Sequence, residues 1–458
     1  MRGFISCIKH GGQSGNAYTI SGTDGVFKSV AFNNNLVLSL GDIAKINGKI
    51  TVEDKDSSFE KKVHSALKEF IADNTRKDPY KKSIKQIDAV TEKLWPNLLA
   101  ASSLFLRRLM LGAPIFVRFH NDADGSSGAY SLYLAIKDLS KKATFAHNII
   151  WIMNKGVSYT RQDAENDILL SNNYESVEKP LLMIIDFGTT TDSNSGIDAI
   201  SGKFDIIWLD HHPVMEDFDG KKLDHYVNPW LHDGDSNYTA GFLASAFAKT
   251  FSNLNTSEIE NASFIGDYSE YADIDGKGSD VSTIFDLLTS DLGIAFGPNK
   301  SNVTPQEFES ILNNKEKFSE LLAYANVQLS ETIDKGMKAL KQYKGKNFKI
   351  FLLDFEDVRS DDTKYPLPGR FSSKLLGEVR KTDGENIMVI VHVGAYLLMR
   401  LDKTLSKELS LLDVIANVKD KYGSYIEGGG GHRAAATIKL RDKRDKKGVI
   451  RFIIDSLK

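Results

Sequence analysis

The stretch Ile115-Phe-Val-Arg-Phe-His-Asn-Asp-Ala-Asp-Gly125 sets an apolar run directly before a loop that carries one histidine and two carboxylates. Five residues of β type followed by turn formers read as a buried strand, and Gly125 to about Leu139 then takes a helical period. The same arrangement recurs downstream. Leu181–Ile185 ends at Asp186-Phe187-Gly188, and Ile206–Leu209 ends at Asp210-His211-His212-Pro213. With Ile149–Met153 there are four such runs, separated by stretches long enough for crossover helices. That alternation predicts an α/β unit with a mainly parallel sheet covered on both faces.

Outward from this centre the texture changes. Residues 1–54 alternate apolar and polar positions between Gly and Asn turns, in Ala17–Ile20, Val26–Phe32 and Leu36–Leu40, and predict a small β unit. Residues 57–76 and 83–111 lack Gly and carry apolar residues at helical spacing. Residues 305–345 read as long helices, and from Phe348 strand and helix signals alternate to Leu457. The expected division is a β unit at 1–55, a helical segment at 56–112, a parallel-sheet domain at 113–275, a helical linker at 276–345 and a smaller α/β domain at 346–458.

With 458 residues, 41% hydrophobic and 26% charged, the chain has the composition of a globular protein of roughly three domains. One cysteine, Cys7, excludes an internal disulfide framework and a cysteine-ligated metal site. The N-terminus lacks the apolar core of a signal peptide. The longest apolar stretch, Leu94–Leu106, contains Pro96 and Asn97 and stops at Arg107-Arg108, too short to cross a bilayer. A cytoplasmic protein without a membrane partner is expected. The net charge of −3 is unevenly spread: residues 346–458 hold 22 Lys and Arg against 16 Asp and Glu, a net of +6, which leaves −9 on the rest.

In open parallel sheets ligands sit at the carboxyl ends of the strands, so the loops bearing Asp122, Asp124, Asp186 and Asp210–His212 can converge on one crevice. Carboxylates crowded there repel one another unless a cation intervenes. A lone Asp-x-Asp-Gly is most often a turn, and a His-His pair most often a surface or capping pair. Both together, each after its own apolar strand, point to divalent ions held by oxygen and imidazole, Mn²⁺ more than thiolate-bound Zn²⁺. Two ions side by side would clamp a phosphoryl centre and activate a water.

These motifs resemble the DHH phosphoesterase superfamily, and within it the RecJ-like nucleases. HNDADG, IIDFG and WLDHHP are similar to the first three family motifs, FIGDYSEYADI with Asp267 to the fourth, and GGGGHRAAAT at 428–437 to the signature of the DHH-associated domain. The resemblance covers about 115–458. It implies that His120, Asp122 and Asp186 hold one Mn²⁺ or Mg²⁺ ion, and that Asp124, Asp186, His211 and Asp267 hold a second. Asp210 would orient its neighbours and His212 would face the substrate, the two forming the catalytic pair. Bacterial RecJ-like motifs often carry Asp where this chain has His120.

Substrate contacts are expected from the C-terminal domain. Gly429, Gly430 and Gly431 would let backbone N–H groups approach a phosphate. His432 and Arg433 would add donors at the start of a small-residue helix through Ala434–Ala436. The resemblance adds Arg400, and more loosely Arg370. The resemblance leads to the expectation that the C-terminal OB domain of bacterial RecJ is missing and that the small N-terminal β unit, expected to be OB-like, stands in its place. That layout is similar to archaeal RecJ-like proteins, some of which associate with the GINS replication complex. The activity implied is an exonuclease on single-stranded DNA or RNA, in replication or repair. Two alternatives stand beside it: hydrolysis of short oligonucleotides or nucleotide bisphosphates, and a GINS-binding replisome scaffold.

Overall fold

The computed structural model describes the chain except residues 1, 11–15, 24–26, 32–37, 48, 54, 146–147, 157, 190, 216 and 361–362; the run expected at Leu36–Leu40 falls partly outside the described residues. Met1–Ser282 with Asn302–Ser310 form one compact unit, and Thr283–Ser301 with Ile311–Lys458 form another.

The first unit opens with strands β1 (Arg2–Lys9), β2 (Ala17–Gly22), β3 (Phe27–Ala31), β4 (Ile43–Asn47) and β5 (Lys49–Glu53), an antiparallel sheet in the order β3-β2-β1-β4-β5. Helix α1 (Ser57–Asn74) starts where the Asp56 side chain accepts the N–H groups of Ser58 and Phe59. Helix α2 (Lys85–Met110) runs through Pro96 without ending there.

Next come β6 (Ile115–His120), α3 (Ala123–Leu139), β7 (Ile149–Asn154), α4 (Arg161–Ser171), β8 (Tyr174–Ser176), β9 (Leu181–Ile185), α5 (Thr191–Ile200), β10 (Asp205–Leu209) and β11 (His225–Val227). Strands β6, β7, β9, β10 and β11 form the expected parallel sheet, ordered β11-β10-β9-β6-β7. Every residue of β9 and β10 is buried, as their unbroken apolar runs require. On one face Phe116, Leu182, Ile184, Ile206 and Trp208 pack together. On the other, Gly128 of α3 lets that helix approach closely: a Cβ there would lie 2.7 Å from Ile185 Cγ2. Short β8 pairs with the far half of β1, past the bulge between Ile5 and Cys7. Helices α6 (Ala240–Ala248), α7 (Ser257–Gly266), α8 (Ser279–Ser290), α9 (Gly293–Phe296) and α10 (Pro305–Leu312) follow.

In the second unit come α11 (Lys315–Ala339), β12 (Lys341–Lys344), β13 (Lys349–Asp354), α12 (Pro368–Asp383), β14 (Ile387–Val393), β15 (Tyr396–Leu401), α13 (Leu411–Tyr422), β16 (Ile426–Gly431), β17 (Ala435–Leu440) and α14 (Lys446–Ser456). The sheet order is β12-β13-β14-β15-β17-β16; only β13 and β14 run parallel. Two sequence expectations are corrected here. The helix expected through residue 345 ends at Ala339, and Lys341–Lys344 becomes an edge strand through ladder pairing with β13. Ala434–Ala436 does not begin a helix: Gly428–Gly431 and Ala435–Leu440 are the two arms of a hairpin. The local propensities of Gly and Ala are overridden by cross-strand hydrogen bonds and by Ala436 and Ile438 facing the core.

Arg118, in the middle of β6, is a charge that the apolar run does not explain. It is buried and spans to α4: Nε and Nη2 donate to the two Asp167 oxygens at 2.8 and 2.7 Å, and Nη1 to Asp163 at 3.0 Å. The Asn154 side chain takes another bond from Nη1 at 2.5 Å. Asp167 is itself fully buried. Removing the guanidinium strands that carboxylate, so Arg118→Met should cost about 3–5 kcal/mol, read as a fall in the urea midpoint. An unchanged midpoint would contradict the ion-pair account.

Candidate metal centre

Strand β6 ends at His120, and α3 begins three residues later, so His120, Asp122 and Asp124 sit on one strand-to-helix junction. Asp122 is the N-cap of α3: its Oδ1 accepts the Gly125 N–H at 3.0 Å, while Oδ2 lies 2.7 Å from His120 Nδ1. Gly125 is required here, because a Cβ would come within 2.5 Å of the His120 carbonyl oxygen. Asp124, inside the first turn and fully buried, faces the other way. Its Oδ2 accepts the Ala240 N–H at 2.9 Å and its Oδ1 the Gly241 N–H at 2.7 Å, both at the start of α6. A carboxylate at a helix N-terminus is well placed against the aligned N–H groups.

Asp186 follows β9 and lies between these two positions. Its Oδ2 is 3.5 Å from His120 Nδ1 and its Oδ1 is 3.4 Å from His211 Nε2. Each oxygen thus faces a different histidine. The residue takes φ +65°, a left-handed conformation that Asp tolerates better than most side chains.

From β10, His211 points inward. Its Nδ1 is 2.7 Å from the Ser236 carbonyl, which fixes that nitrogen as a donor and directs Nε2 at Asp267 (3.1 Å), Asp186 and Asp124 (3.5 Å). Asp267 arrives as the C-cap of α7. Asp210, fully buried, holds His212: its Oδ1 accepts the His212 N–H and lies 2.7 Å from Nδ1, leaving the half-buried ring turned toward Asp186.

Ligand-capable atoms in three groups therefore lie within 4.8 Å of one another: His120, Asp122 and Asp186; Asp124, His211 and Asp267; and Asp186, Asp210 and His212. At such separations two carboxylates repel by about 3–4 kcal/mol even at an effective dielectric of 20. The titration shifts show that strain. Burial pushes the Asp124 carboxyl well up, and the charges of Asp186 and Asp267 add to it. Burial and Asp122 raise Asp186 as well. Burial would lower His211 and His120, but the carboxylates around each hold them well above the usual imidazole range. Asp122 alone goes down, because His120 overrules its burial. Oxygen and imidazole donors at this density fit divalent ions.

The structure thus brings together all eight residues singled out for this centre. Sequence reasoning missed their supports. Asn228 Nδ2 donates to the His212 carbonyl at 2.9 Å, and Trp230 Nε1 and Ser236 Oγ donate to that of His211 at 3.1 and 2.8 Å, so the loop at 228–236 fastens the histidine pair. Only the turn formers Asn228-Pro229 and Gly234 hinted at a structured loop there.

The expected substrate residues lie in the second unit. Gly429, Gly430 and Gly431 pair with Ile438, Thr437 and Ala436 in the hairpin, and His432 occupies its turn. Arg433 is fastened to the carbonyls of Ser406 and Lys407. Arg400 Nε donates to Ser373 Oγ of α12 at 3.0 Å. Arg370 is buried against Thr283 (3.1 Å) and Asp286 (3.4 Å), in the interior of its unit rather than on a surface.

Comparison with known proteins places the fold. No family model matches the sequence. An uncharacterized protein of Methanocaldococcus jannaschii is 29% identical over 239 residues, 46% of this chain and 31% of the relative, so the chain spans about a third of the curated relative it matches. The DHH domain of a member of the s1p family of ribosomal proteins superposes with a TM-score of 0.73, covering 87% of this chain and 98% of that one at 18% identity. RecJ from Thermus thermophilus in complex with Mn²⁺ superposes with a TM-score of 0.51 over 79% of this chain and 54% of that one, at 13% identity. The α/β architecture of this chain is that of DHH-domain and RecJ structures. Among the described residues no helix is long and apolar enough to cross a membrane.

Two outcomes follow for metal binding. A Cβ at Gly241 would sit 2.6 Å from Ser263 Cβ and 2.8 Å from Asp124 Oδ1, so Gly241→Ala should displace Asp124 and weaken Mn²⁺ binding about 10–100-fold, measured by calorimetry. Because Asp124, Asp186, His120 and His211 all hold protons more tightly than usual, binding must expel protons. Affinity should therefore rise from about pH 6 to about pH 8, with proton release detected as a buffer-dependent enthalpy. Affinity that falls with pH would contradict this.

Proposed function

We propose that the chain is a divalent-metal-dependent phosphoesterase that hydrolyses phosphodiesters of single-stranded nucleic acid. The observation that carries this reading is Asp186, whose two oxygens face two separate nitrogen-and-carboxylate groups. That arrangement fits a pair of ions sharing one carboxylate. The RecJ structure of the same fold holds Mn²⁺, and a Mn²⁺ or Mg²⁺ pair fits the donor set here. Bound, such ions would activate a water and offset charge on the phosphoryl oxygens.

In this reading His120, Asp122 and Asp186 hold one ion, and Asp124, Asp186, His211 and Asp267 the other. The remaining residues have separate tasks. Asp210 keeps the His212 ring oriented through its 2.7 Å contact and raises its proton affinity against the opposing effect of burial. His212, partly exposed, is then a proton-bearing group that binds a phosphate oxygen or gives its proton to the leaving alkoxide. Ser236 holds His211 in the tautomer that keeps Nε2 for an ion. The surplus positive charge of residues 346–458, Arg400 among them, supports a polyanionic substrate bound by the second unit.

Full-length hydrolysis of an exonuclease kind is the reading supported by this charge; short oligonucleotides are the competing substrate, and rates on a dinucleotide and a 20-mer discriminate the two. A GINS partner would be detected by co-purification and is compatible with either. For activity, Asp186→Ala and His211→Ala should each lower Mn²⁺-dependent release of nucleotides from an end-labelled oligonucleotide by at least about 10³-fold, the scale of losing a metal-held nucleophile. Intact substrate after incubation of the wild-type protein with Mn²⁺ or Mg²⁺ would sink the proposal.

A further inference from the structure

The first unit holds a polar cavity away from the metal centre, of about 390 Å³, lined by Arg76, Tyr80, Lys81, Lys82 and Lys249 and by the loop at 252–257. Its volume falls in the range of ligand sites, roughly 300–1,000 Å³. Four cations line it and no carboxylate does. Behind the wall Glu260, fully buried, pins Lys82 Nζ at 2.5 Å and Lys249 Nζ at 3.0 Å, and also takes hydrogen bonds from the hydroxyls of Tyr80, Ser245 and Thr256. Lys81 meets Glu92 only at 3.6 Å, with both side chains well exposed. Arg76 has no carboxylate partner among the described residues. Among the described residues these four cations share two ion-pairing carboxylates, Glu260 and Glu92, a surplus of two positive charges.

Lys249 shows the consequence. It is buried, its ammonium lies 4.2 Å from the centre of the Tyr80 ring, and burial together with the charges of Lys82 and Arg76 lowers its proton affinity despite Glu260. Cations gathered on a concave surface at that cost are relieved by an anion. Asn253, Asn255 and Ser257 add neutral polar side chains, and Ser257 opens α7, whose N-terminal end is its positive end. Lys, Arg, Ser and Asn side chains with helix N-terminal N–H groups are the usual contacts to phosphate oxygens.

The cavity is separate from the metal centre. Helix α6 begins at the N–H groups that hold Asp124 and ends beside Lys249, and α7 begins at the cavity and ends at Asp267. Helices of nine and ten residues are about 14–15 Å long, so the two sites lie at opposite ends of this helix pair. One scissile phosphate cannot occupy both.

We propose that this cavity is a second anion site that takes the phosphate group of a nucleotide or of a nucleic-acid strand. The site stands on its own geometry, whatever reaction the metal centre performs.

The test uses the full-length protein in EDTA. Inorganic pyrophosphate is titrated by calorimetry, and a fluorescein-labelled dT oligonucleotide by anisotropy over a salt series, for the wild type and for R76E/K81E. Both substituted side chains are exposed, and the urea midpoint checks that the variant folds; Arg76→Ala repeats the measurement should it not. The variant should bind at least about tenfold more weakly, and its oligonucleotide salt slope should fall by about 1.4, roughly 0.7 for each lost contact to a single strand. Loss confined to pyrophosphate identifies a nucleotide-sized ligand, and loss that includes the oligonucleotide identifies a strand. Wild-type protein that binds neither probe, or a folded variant that binds both as tightly as wild type, overturns the proposal.

Discussion

Everything at the carboxyl edge of the parallel sheet answers to one constraint: five aspartates must be held close together in a mostly water-free place. Asp124, Asp186 and Asp210 are buried, while Asp122 and Asp267 are partly open. Burial alone penalises each charge, and neighbours separated by a few ångströms add a comparable penalty per pair. The chain meets this partly with its own groups. Histidines 120, 211 and 212 stand between the carboxylates, and helix N-termini supply N–H groups to Asp122 and Asp124. What those groups do not offset is the net negative charge that a pair of divalent cations would.

The scaffold is therefore rigid where the charges are. Three helix ends converge on the centre, the starts of α3 and α6 and the end of α7. Close approach between them depends on missing side chains: Gly125 against the His120 backbone, Gly241 against Ser263 and Asp124, Gly266 against Ala123. A Cβ at any of them meets atoms nearer than van der Waals contact allows. Sites set on strand ends and helix termini hold ligands to tighter tolerances than sites set on free loops.

What the sequence disclosed, and what it hid, follows the range of the interactions involved. β9 and β10 were legible because a doubly covered parallel strand is an unbroken apolar run, and β6 because its run is broken only by Arg118; the chemistry sits where each run stops. Three supports were hidden because each is a contact between distant positions. Ser236 meets His211 from 25 residues away, the start of α6 meets Asp124 from more than 100, and Arg118 finds Asp163 and Asp167 on a helix that the local pattern does not tie to β6. The hairpin at 426–440 was misread for the opposite reason: local composition spoke clearly, for a glycine loop and an alanine helix, and ladder pairing with β15 overrode it.

The spacing of Asp122 and Asp124 shows how two residues can serve two positions. In a strand, side chains two apart share a face; in a helix they diverge by about 200°. The junction after β6 lies between these regimes. Asp122 is still extended, at φ −135° and ψ −173°, and sends one oxygen back to His120 while the other caps α3. Asp124 is already helical and turns into the unit toward α6 and His211. Had the helix begun two residues later, both carboxylates would have shared one face and pressed on one position. The helix start is thus what separates the two groups, and Asp186, reaching each with a different oxygen, is what joins them.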